Sequence, residues 1–263
     1  MAQTTDSGQS TNSLIGLVGS VTGSKTNSQD VCCTTLRALR QTIRQTGYQF
    51  MDTSNSATEV RFFNIGEATA FSEAGSDGAA EMAVLLTWIH SYLMANNADL
   101  GRTGAVCPFT KQAAKLDTVR VAVSLADASR ERDAFLLARR AFGELNDIPS
   151  RKGMEHFRTV IIGFPGFAGE AGVAALKRIQ RAHRTYSLAR GRMIGLMHVS
   201  SEDQGLWNRD FRPLRSPIPI LAVRHMVEQD APFAALHPAL MLAYLARFPF
   251  KGARRLASHW RGT

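Results

Sequence analysis

The chain has 263 residues, ordinary apolar content and a net charge of +9, and it is long enough to bury a substantial core. Residues 1–101 carry 5 basic and 9 acidic groups, whereas residues 102–263 carry 26 and 13, so the basicity belongs to the second part. No run of about 18 apolar residues occurs, so the sequence predicts no membrane-spanning helix. Three cysteines make a poor disulfide framework, and no Lys or Arg precedes the first apolar run, as it would in a secretory signal. Together these features predict a cytoplasmic protein.

The first hundred residues alternate between unpatterned and helical segments. Residues 1–30 are rich in Ser, Thr, Gly, Asn and Gln, a composition that predicts a disordered leader. Residues 32–46 place apolar side chains at helical spacing and predict an amphipathic helix. Residues 47–79 are weakly patterned, with a short strand predicted at 60–65, and residues 81–96 predict a second helix.

Apolar runs rich in branched residues alternate with helical patterns in the rest of the chain. These runs predict strands at residues 118–125, 158–164, 193–199 and 218–226. Helices are predicted at 130–145, 169–189 and 232–247, and the basic tail at 251–263 is predicted to fray.

The order of these elements predicts an α+β fold, or an α/β fold, with one sheet of about four strands covered by helices. Residues 31–250 are predicted to form a single domain between the leader and the tail. Within it, residues 31–100 form a helical part and residues 101–250 contain the sheet.

A polar loop between the third and fourth predicted strands gathers the residues best suited to chemistry. His198 ends the third strand, and Ser200 and Ser201 follow it. Trp207 and Asn208 lie further along the loop, and we predict that they and the two serines line a substrate pocket. A histidine at the end of a buried strand, facing hydroxyls and charged groups, is a common position for ligand binding.

The histidine has several possible chemical uses. A neutral imidazole at His198 could ligate iron or zinc or act as a base, and it could equally be satisfied by the backbone or by acids of the loop. No second histidine or cysteine follows at the spacing of a zinc site, whereas a haem iron needs a single protein ligand. His198 is therefore predicted as a metal ligand, with haem as the group that it holds.

Four arginines in the same stretch predict contact with an anionic group. Arg209, Arg212 and Arg215 lie in the loop and could bind haem propionates, an acidic substrate or only water. Arg224 lies inside the fourth predicted strand, where an unpaired guanidinium would be costly, so it should have an anionic partner. Arg209, Arg212 and Arg224 are therefore predicted as cofactor-binding residues.

A cysteine forms a separate catalytic candidate. Cys107 precedes Pro108 in a loop that follows two glycines. Because an extended Cys-Pro step exposes the sulfur, a thiolate there could be a nucleophile or an alternative haem ligand. Free cysteine is more often a small buried side chain without reactivity, and this interpretation of Cys107 stays open beside the catalytic one.

The helix predicted at 169–189 is strongly basic. Lys177, Arg178, Arg181 and Arg184 give it a positive face, which would attract an anionic ligand or an acidic partner. Nucleic-acid-binding proteins usually interleave aromatic residues with such charges or show a known module, and the sequence has neither. Nucleic acid is therefore not expected as a partner.

Two segments resemble known families. GRTGAVCPFT, at residues 101–110, together with residues 195–233, resembles an uncharacterised bacterial family with a GRxGxVCPF motif, a domain of unknown function. More distantly, residues 106–123 and 196–223 are similar to the YqcI/YcgG-like family, some members of which are haem-dependent N-oxygenases. That resemblance implies haem, with His198 and Cys107 matching the family's histidine and cysteine. Val199 and Glu202 stand where that family has proline and arginine, and Cys-Pro stands where it has Pro-Cys.

Two functional hypotheses from different classes follow. The first is a haem-binding oxygenase of bacterial secondary metabolism that N-oxygenates an amine or a guanidino substrate, with His198 as iron ligand. The second is a non-catalytic binding or accessory protein that holds a small anionic ligand or an acidic partner through its basic half. Loss of haem in His198→Ala would favour the first, and a colourless protein that binds anions would favour the second.

Overall fold

Four short apolar runs form one mixed sheet in the computed structural model, which describes residues 60–235 and 238–262. The strands are β1 (Val119–Val123), β2 (Thr159–Gly163), β3 (Arg192–Met197) and β4 (Ile220–His225). Their order across the sheet is β1-β2-β4-β3; β1 and β2 are parallel, and β4 runs antiparallel to both of its neighbours. The predicted α+β fold and its four strands are thereby confirmed.

Eight α-helices surround the sheet within the described part of the chain. They are α1 (Ile65–Glu73), α2 (Ala79–Trp88), α3 (Thr110–Lys115), α4 (Glu131–Asp147), α5 (Glu170–Leu188), α6 (Ala231–Ala235), α7 (Pro238–Arg247) and α8 (Pro249–Gly262). A π-helical turn, Ile89–Leu93, extends α2. No helix among the described residues has the length and apolar character needed to cross a membrane. All of them belong to one compact unit, Gln49–Thr263.

Different helices bury the two faces of the sheet. Helices α4 and α5 cover one side, which we call the α4/α5 face, and helix α2 covers the other, the α2 face. Because both faces are covered, the strands are nearly continuous apolar runs instead of alternating ones. The α4/α5 face includes Leu137, Phe142, Val160, Leu176, Ile194, Leu196 and Val223, and the α2 face includes Met82, Leu85, Ile161, Met197 and Ile220.

The end of the chain differs from its prediction. The prediction of a frayed tail is wrong, because residues up to Gly262 continue as α8. Leu256 of this helix is buried, and a Cβ added to Gly252 would lie 2.8 Å from Cε1 of Tyr244, so the helix packs closely on α7. The single helix predicted at 232–247 is two helices, α6 and α7.

The region before the sheet also differs from its prediction. Of the strand predicted at 60–65, only Phe63 pairs with the sheet, in an isolated bridge to Val121. Helix α1 then begins after Asn64, whose side chain accepts from the Glu67 backbone while the Glu67 carboxylate accepts from the Asn64 backbone. This reciprocal capping fixes the start of a helix that the apolar pattern alone did not indicate. The leader at 1–30 and the helix at 32–46 lie outside the described residues.

Candidate functional site

His198 directly follows β3 and lies at the base of the loop that leads to β4. Its backbone N–H donates to the Leu214 carbonyl at 3.1 Å, and its side chain is only 6 % exposed. The ring Nδ1 lies 3.1 Å from the Ser200 hydroxyl oxygen. Burial, and then the charge of Lys177, lower the pKa of His198, while Asp203 acts in the opposite direction. The imidazole is therefore neutral near pH 7.

The four residues of the predicted substrate pocket do not converge. Ser200 contacts His198, but the hydroxyl of Ser201 is buried and donates to the Asp203 carboxylate at 3.1 Å. Trp207 is 70 % exposed, and the side-chain amide of Asn208 donates to the Asp99 carbonyl at 2.7 Å. Of the four side chains, only that of Ser200 hydrogen-bonds to the imidazole, so the structure does not bring these side chains together as one pocket around it.

The arginines of the loop are held by an acid of the same loop. Glu202 accepts from Arg215 at 2.7 Å and from Arg212 at 3.2 Å, and these hydrogen bonds hold the pKa of its carboxyl below the usual range. Arg215 also donates to the Ser201 carbonyl, and Arg212 donates to the carbonyl of Arg209. The side chain of Arg209 is exposed. These contacts hold the loop in a compact conformation and use much of the charge that a ligand would otherwise meet.

The loop packs against the segment that contains GRTGAVCPFT. A Cβ added to Gly101, whose φ is +70°, would lie 2.9 Å from the Trp207 carbonyl oxygen, so only glycine permits this approach. The Tyr92 hydroxyl donates to the Arg212 carbonyl and the Trp88 indole donates to the Arg215 carbonyl, each at 3.2 Å. The loop is thus a neighbour of Gly101 and of the helix that precedes it, and in each of these contacts the loop contributes a backbone carbonyl.

Arg224 lies on the α2 face, because it follows Ile220 and Ala222 at the alternating positions of β4. Its guanidinium binds both carboxylate oxygens of Asp230, at 2.6 and 2.8 Å. Burial disfavours the charged form, but Asp230 outweighs it and raises the pKa of Arg224, with a smaller contribution from the nearby Cys107 thiol. The predicted anionic partner of Arg224 is thereby confirmed, and it is an internal acid.

Cys107 and His198 lie on opposite faces of the sheet. Cys107 is half-buried against the side chains of the α2 face, and its backbone N–H donates to the Leu93 carbonyl. His198 continues the alternation of Ile194 and Leu196, which belong to the α4/α5 face, and Lys177 of α5 acts on its charge. The sheet therefore separates the two side chains, and Arg224 is separated from the imidazole in the same way.

A second polar cluster lies on the α4/α5 face at the other end of β3 and β4, where the sequence indicated nothing. It consists of Arg192, which begins β3, His225, which ends β4, and Arg158, which directly precedes β2. A cross-strand cluster has no spacing in the sequence, and only the strand order brings it together. Among the described residues, no three His, Cys, Asp or Glu side chains are placed to hold a metal ion.

Comparison with known proteins identifies the family of the chain but gives it no activity. No curated protein matches the sequence, and no solved structure matches the chain. One family model covers residues 82–259, from α2 into α8, and so includes both loops and the whole sheet. The chain belongs to the family described as a domain of unknown function, DUF6875.

Proposed function

We propose that the protein is a non-catalytic binding or accessory protein that holds an acidic protein partner on the outer side of α5. The observation that carries this proposal is a row of three basic residues, Lys177, Arg181 and Arg184, which we call the α5 stripe. Their spacing of four and three residues places them on one side of the helix. None of the three forms a salt bridge with any residue that the structure describes.

The α5 stripe contrasts with the neighbouring charges of the same protein. Arg178, also on α5, binds the Glu131 carboxylate of α4 at 2.6 Å, and Arg212 and Arg215 bind Glu202. Like charges at this helical spacing oppose the helix by a few tenths of a kcal/mol, so the stripe does not serve the fold. An uncompensated positive row steers acidic partners and accelerates their encounter with the protein.

A charge-reversal experiment tests this proposal. A fluorescently labelled poly-glutamate peptide is titrated with wild type and with Lys177→Glu/Arg181→Glu/Arg184→Glu, and anisotropy is read at low and at physiological salt. The matched control is Lys111→Glu/Lys152→Glu/Arg209→Glu, which changes the net charge equally at exposed sites elsewhere. We expect the α5 variant to lose about tenfold or more in affinity and the control to lose much less.

Equal losses in the two variants would overturn the proposal, because binding would then follow net charge and not the α5 stripe. A DNA duplex titrated in parallel tests the other class of anionic macromolecule. If the protein binds the duplex more tightly than the peptide at physiological salt, its proposed partner is nucleic acid and not an acidic protein.

A haem-dependent oxygenase is the second candidate, favoured by the resemblance to the YqcI/YcgG-like family and by one observation. His198 is a buried, neutral imidazole at a strand end, and a haem iron needs one such ligand. The other predicted residues do not fit the group, because Arg224 lies on the opposite face and Glu202 already binds Arg212. Bound haem would supply oxygen activation in that case.

The absorption spectrum tests this second candidate. Protein purified from cells fed a haem precursor is scanned between about 350 and 650 nm, where a histidine-ligated haem absorbs strongly. A Soret band that disappears in His198→Ala would support it. A flat spectrum in wild type, with no haem gained on titration, would remove the candidate and leave the binding protein.

A further inference from the structure

Strands β3 and β4 and the residue before β2 place three nitrogen-bearing side chains side by side on the α4/α5 face. Arg192 of β3 is the direct register partner of His225 of β4. Arg158 comes one residue before Thr159, whose partner is Arg224, so it lies level with His225 on the other side. Side chains at directly opposed positions of antiparallel strands lie about 5 Å apart. We call these residues, Arg158, His225 and Arg192, the sheet-end row.

Part of the hydrogen-bonding capacity of the sheet-end row is used by the end of α4. A terminal nitrogen of Arg192 donates to the Phe142 carbonyl at 3.0 Å, and the other donates to the side chain of Asn146. Arg158 donates to the Asn146 backbone carbonyl at 3.1 Å. The Asn146 carbonyl is one that the last turn of a helix leaves without a partner, so Arg158 caps α4, and Arg192 binds the same end of the helix through Phe142 and the Asn146 side chain.

The remaining nitrogens of the sheet-end row have no such partner. Nε of Arg158, Nε of Arg192 and Nε2 of His225 are all buried, and none forms a hydrogen bond in the structure. A buried donor without an acceptor costs about 1–3 kcal/mol, and most proteins contain only a few. Contacts with the end of α4 account for the burial of the terminal nitrogens of the two arginines. They do not account for the burial of the other three nitrogens, which have no acceptor. Their concentration at one place indicates a missing acceptor.

The charges around the sheet-end row also favour an anion. Burial, and then the charges of Arg192, Arg158 and Arg247, lower the pKa of His225 to about 4, and Glu155 is the acid that acts against them. No carboxylate of the described residues forms a salt bridge with Arg158 or Arg192. A negative group entering here would meet donors and positive charge together, and would meet them in a partly dehydrated environment.

One exposed charge lies near the sheet-end row, since Arg247 acts on the pKa of His225. Arg247, at the end of α7, is exposed, and its Cδ and Nε lie 3.5 Å from the position that a Cβ on Gly191 would occupy. Gly191 has a φ of +62° and directly precedes β3, so its missing side chain gives the arginine room beside the sheet. Arg247 can therefore contact a ligand from the solvent side.

From this arrangement we propose that the sheet-end row is a binding site for a small oxyanion, a phosphate or a carboxylate group, with Arg247 completing it at the solvent side. The buried nitrogens would donate to the oxyanion while the terminal nitrogens of the arginines keep their contacts with α4. This site goes beyond the proposed binding of an acidic protein, because it uses other residues and requires no macromolecular partner.

NMR of the histidine side chains in the full-length protein tests the proposal. The pKa of His225 is measured in chloride, in inorganic phosphate and in acetate at matched ionic strength. We expect an anion that binds to raise the pKa of His225 by about one or more, because the oxyanion favours the imidazolium. Phosphate and acetate are measured separately, so the anion that raises the pKa of His225 shows whether the site binds a phosphate or a carboxylate.

Two single substitutions locate the effect. Arg247→Gln changes an exposed residue and should leave the fold intact while weakening the anion about fivefold or more. Arg181→Gln, at an exposed arginine of the α5 stripe, is the matched control and should bind the anion as wild type does. Failure of the acidic-protein proposal would leave this result unchanged, since Arg181 belongs only to that surface.

Two results would overturn the oxyanion site. One is a His225 pKa that neither phosphate nor acetate changes relative to chloride in the wild-type protein. The other is an equal loss of affinity in Arg247→Gln and Arg181→Gln, which would mean that the anion binds by general charge and not at the sheet-end row.

Discussion

Two guanidinium groups on opposite faces of one sheet, half-buried Arg224 and buried Arg192, are treated differently by this protein. Arg224, on the α2 face, binds both oxygens of the Asp230 carboxylate, and the pair raises the pKa of the arginine. Arg192, on the α4/α5 face, is 7 % exposed and contacts only neutral oxygens at the end of α4, and burial lowers its pKa. One guanidinium has an internal acid, and the other has none.

The difference separates a structural arginine from one that is available for a ligand. A buried ion pair with good geometry is closed, since each charge satisfies the other and leaves nothing for a third group. A buried guanidinium that contacts only neutral carbonyls keeps its positive charge uncompensated. This distinction predicts effects of substitution that decrease from the α2 face to the loop.

The largest effect is expected for Asp230→Ala on the α2 face. Asp230 is 3 % exposed, and it also accepts from the Val227 backbone at 2.8 Å. Its removal leaves the half-buried Arg224 charge and the Val227 N–H without their acceptor, which should lower the free energy of unfolding by about 2–4 kcal/mol. Urea denaturation measures the loss. Glu228→Gln, which breaks solvent-accessible pairs with Lys251 and Arg255, is the control and should cost below about 1 kcal/mol.

The second effect concerns acid stability. The pKa of His225 is about 4 in the folded protein and about 6.5 in the unfolded chain, so between these values the unfolded chain binds the extra proton. Stability therefore falls as pH is lowered through this window, and His225 accounts for about 2 kcal/mol of the loss after allowance for partial exposure. His225→Gln should flatten the profile of urea midpoints against pH, and His156→Gln, at an exposed histidine, is the control.

Phosphate should reduce the same acid sensitivity in the wild-type protein, because a bound oxyanion stabilises protonated His225. Profiles of wild type and His225→Gln that fall equally between about pH 6.5 and 4 would show that other groups control acid unfolding.

A smaller effect is expected for Arg192→Met on the α4/α5 face. The substitution removes hydrogen bonds to the end of α4, but it also removes an uncompensated buried charge. We therefore expect a loss of only about 1–2 kcal/mol in chloride, below that of Asp230→Ala. Added phosphate should raise the urea midpoint of wild type and not that of the variant. A loss as large as that of Asp230→Ala would mean that binding the end of α4 dominates the role of Arg192.

The smallest change in stability is expected for Glu202→Gln in the loop. Its carboxylate is exposed, and its pairs with Arg212 and Arg215 are screened by solvent, so the urea midpoint should stay within error of wild type. The two guanidiniums lose their acid, however, and the loop should gain phosphate affinity that wild type lacks there. Arg209→Gln in the Glu202→Gln background is the control, since Arg209 does not contact Glu202 and should leave this gain in place.

Much of the fold could be predicted from the sequence. Each of the four strands is a short, mainly apolar run, and the helices found as α4 and α5 have clear amphipathic patterns. The sequence also predicted an ion pair. An arginine inside an apolar strand needs an anionic partner, and Asp230 is the partner of Arg224. Helix α8 was missed because its many basic residues conceal the small apolar face formed by Gly252 and Leu256.

The candidate site could be predicted only in part. The sequence correctly placed His198 at the end of a strand, but which face it occupies relative to Cys107 depends on side-chain alternation and strand order together. The sheet-end row depends on register as well, because Arg158, His225 and Arg192 become neighbours only when β4 lies between β2 and β3. A single sequence does not specify which strands pair.

The position of β4 also has a consequence for synthesis of the protein. The last strand to leave the ribosome is an inner strand of the sheet, and it is the only described strand that joins β3 to the rest. Until it emerges, β2 and β3 each present an edge of unpaired backbone groups, which are prone to pair with other chains. Sheet closure must therefore wait until β4 has been synthesised, and products truncated before Ile220 should aggregate or be degraded.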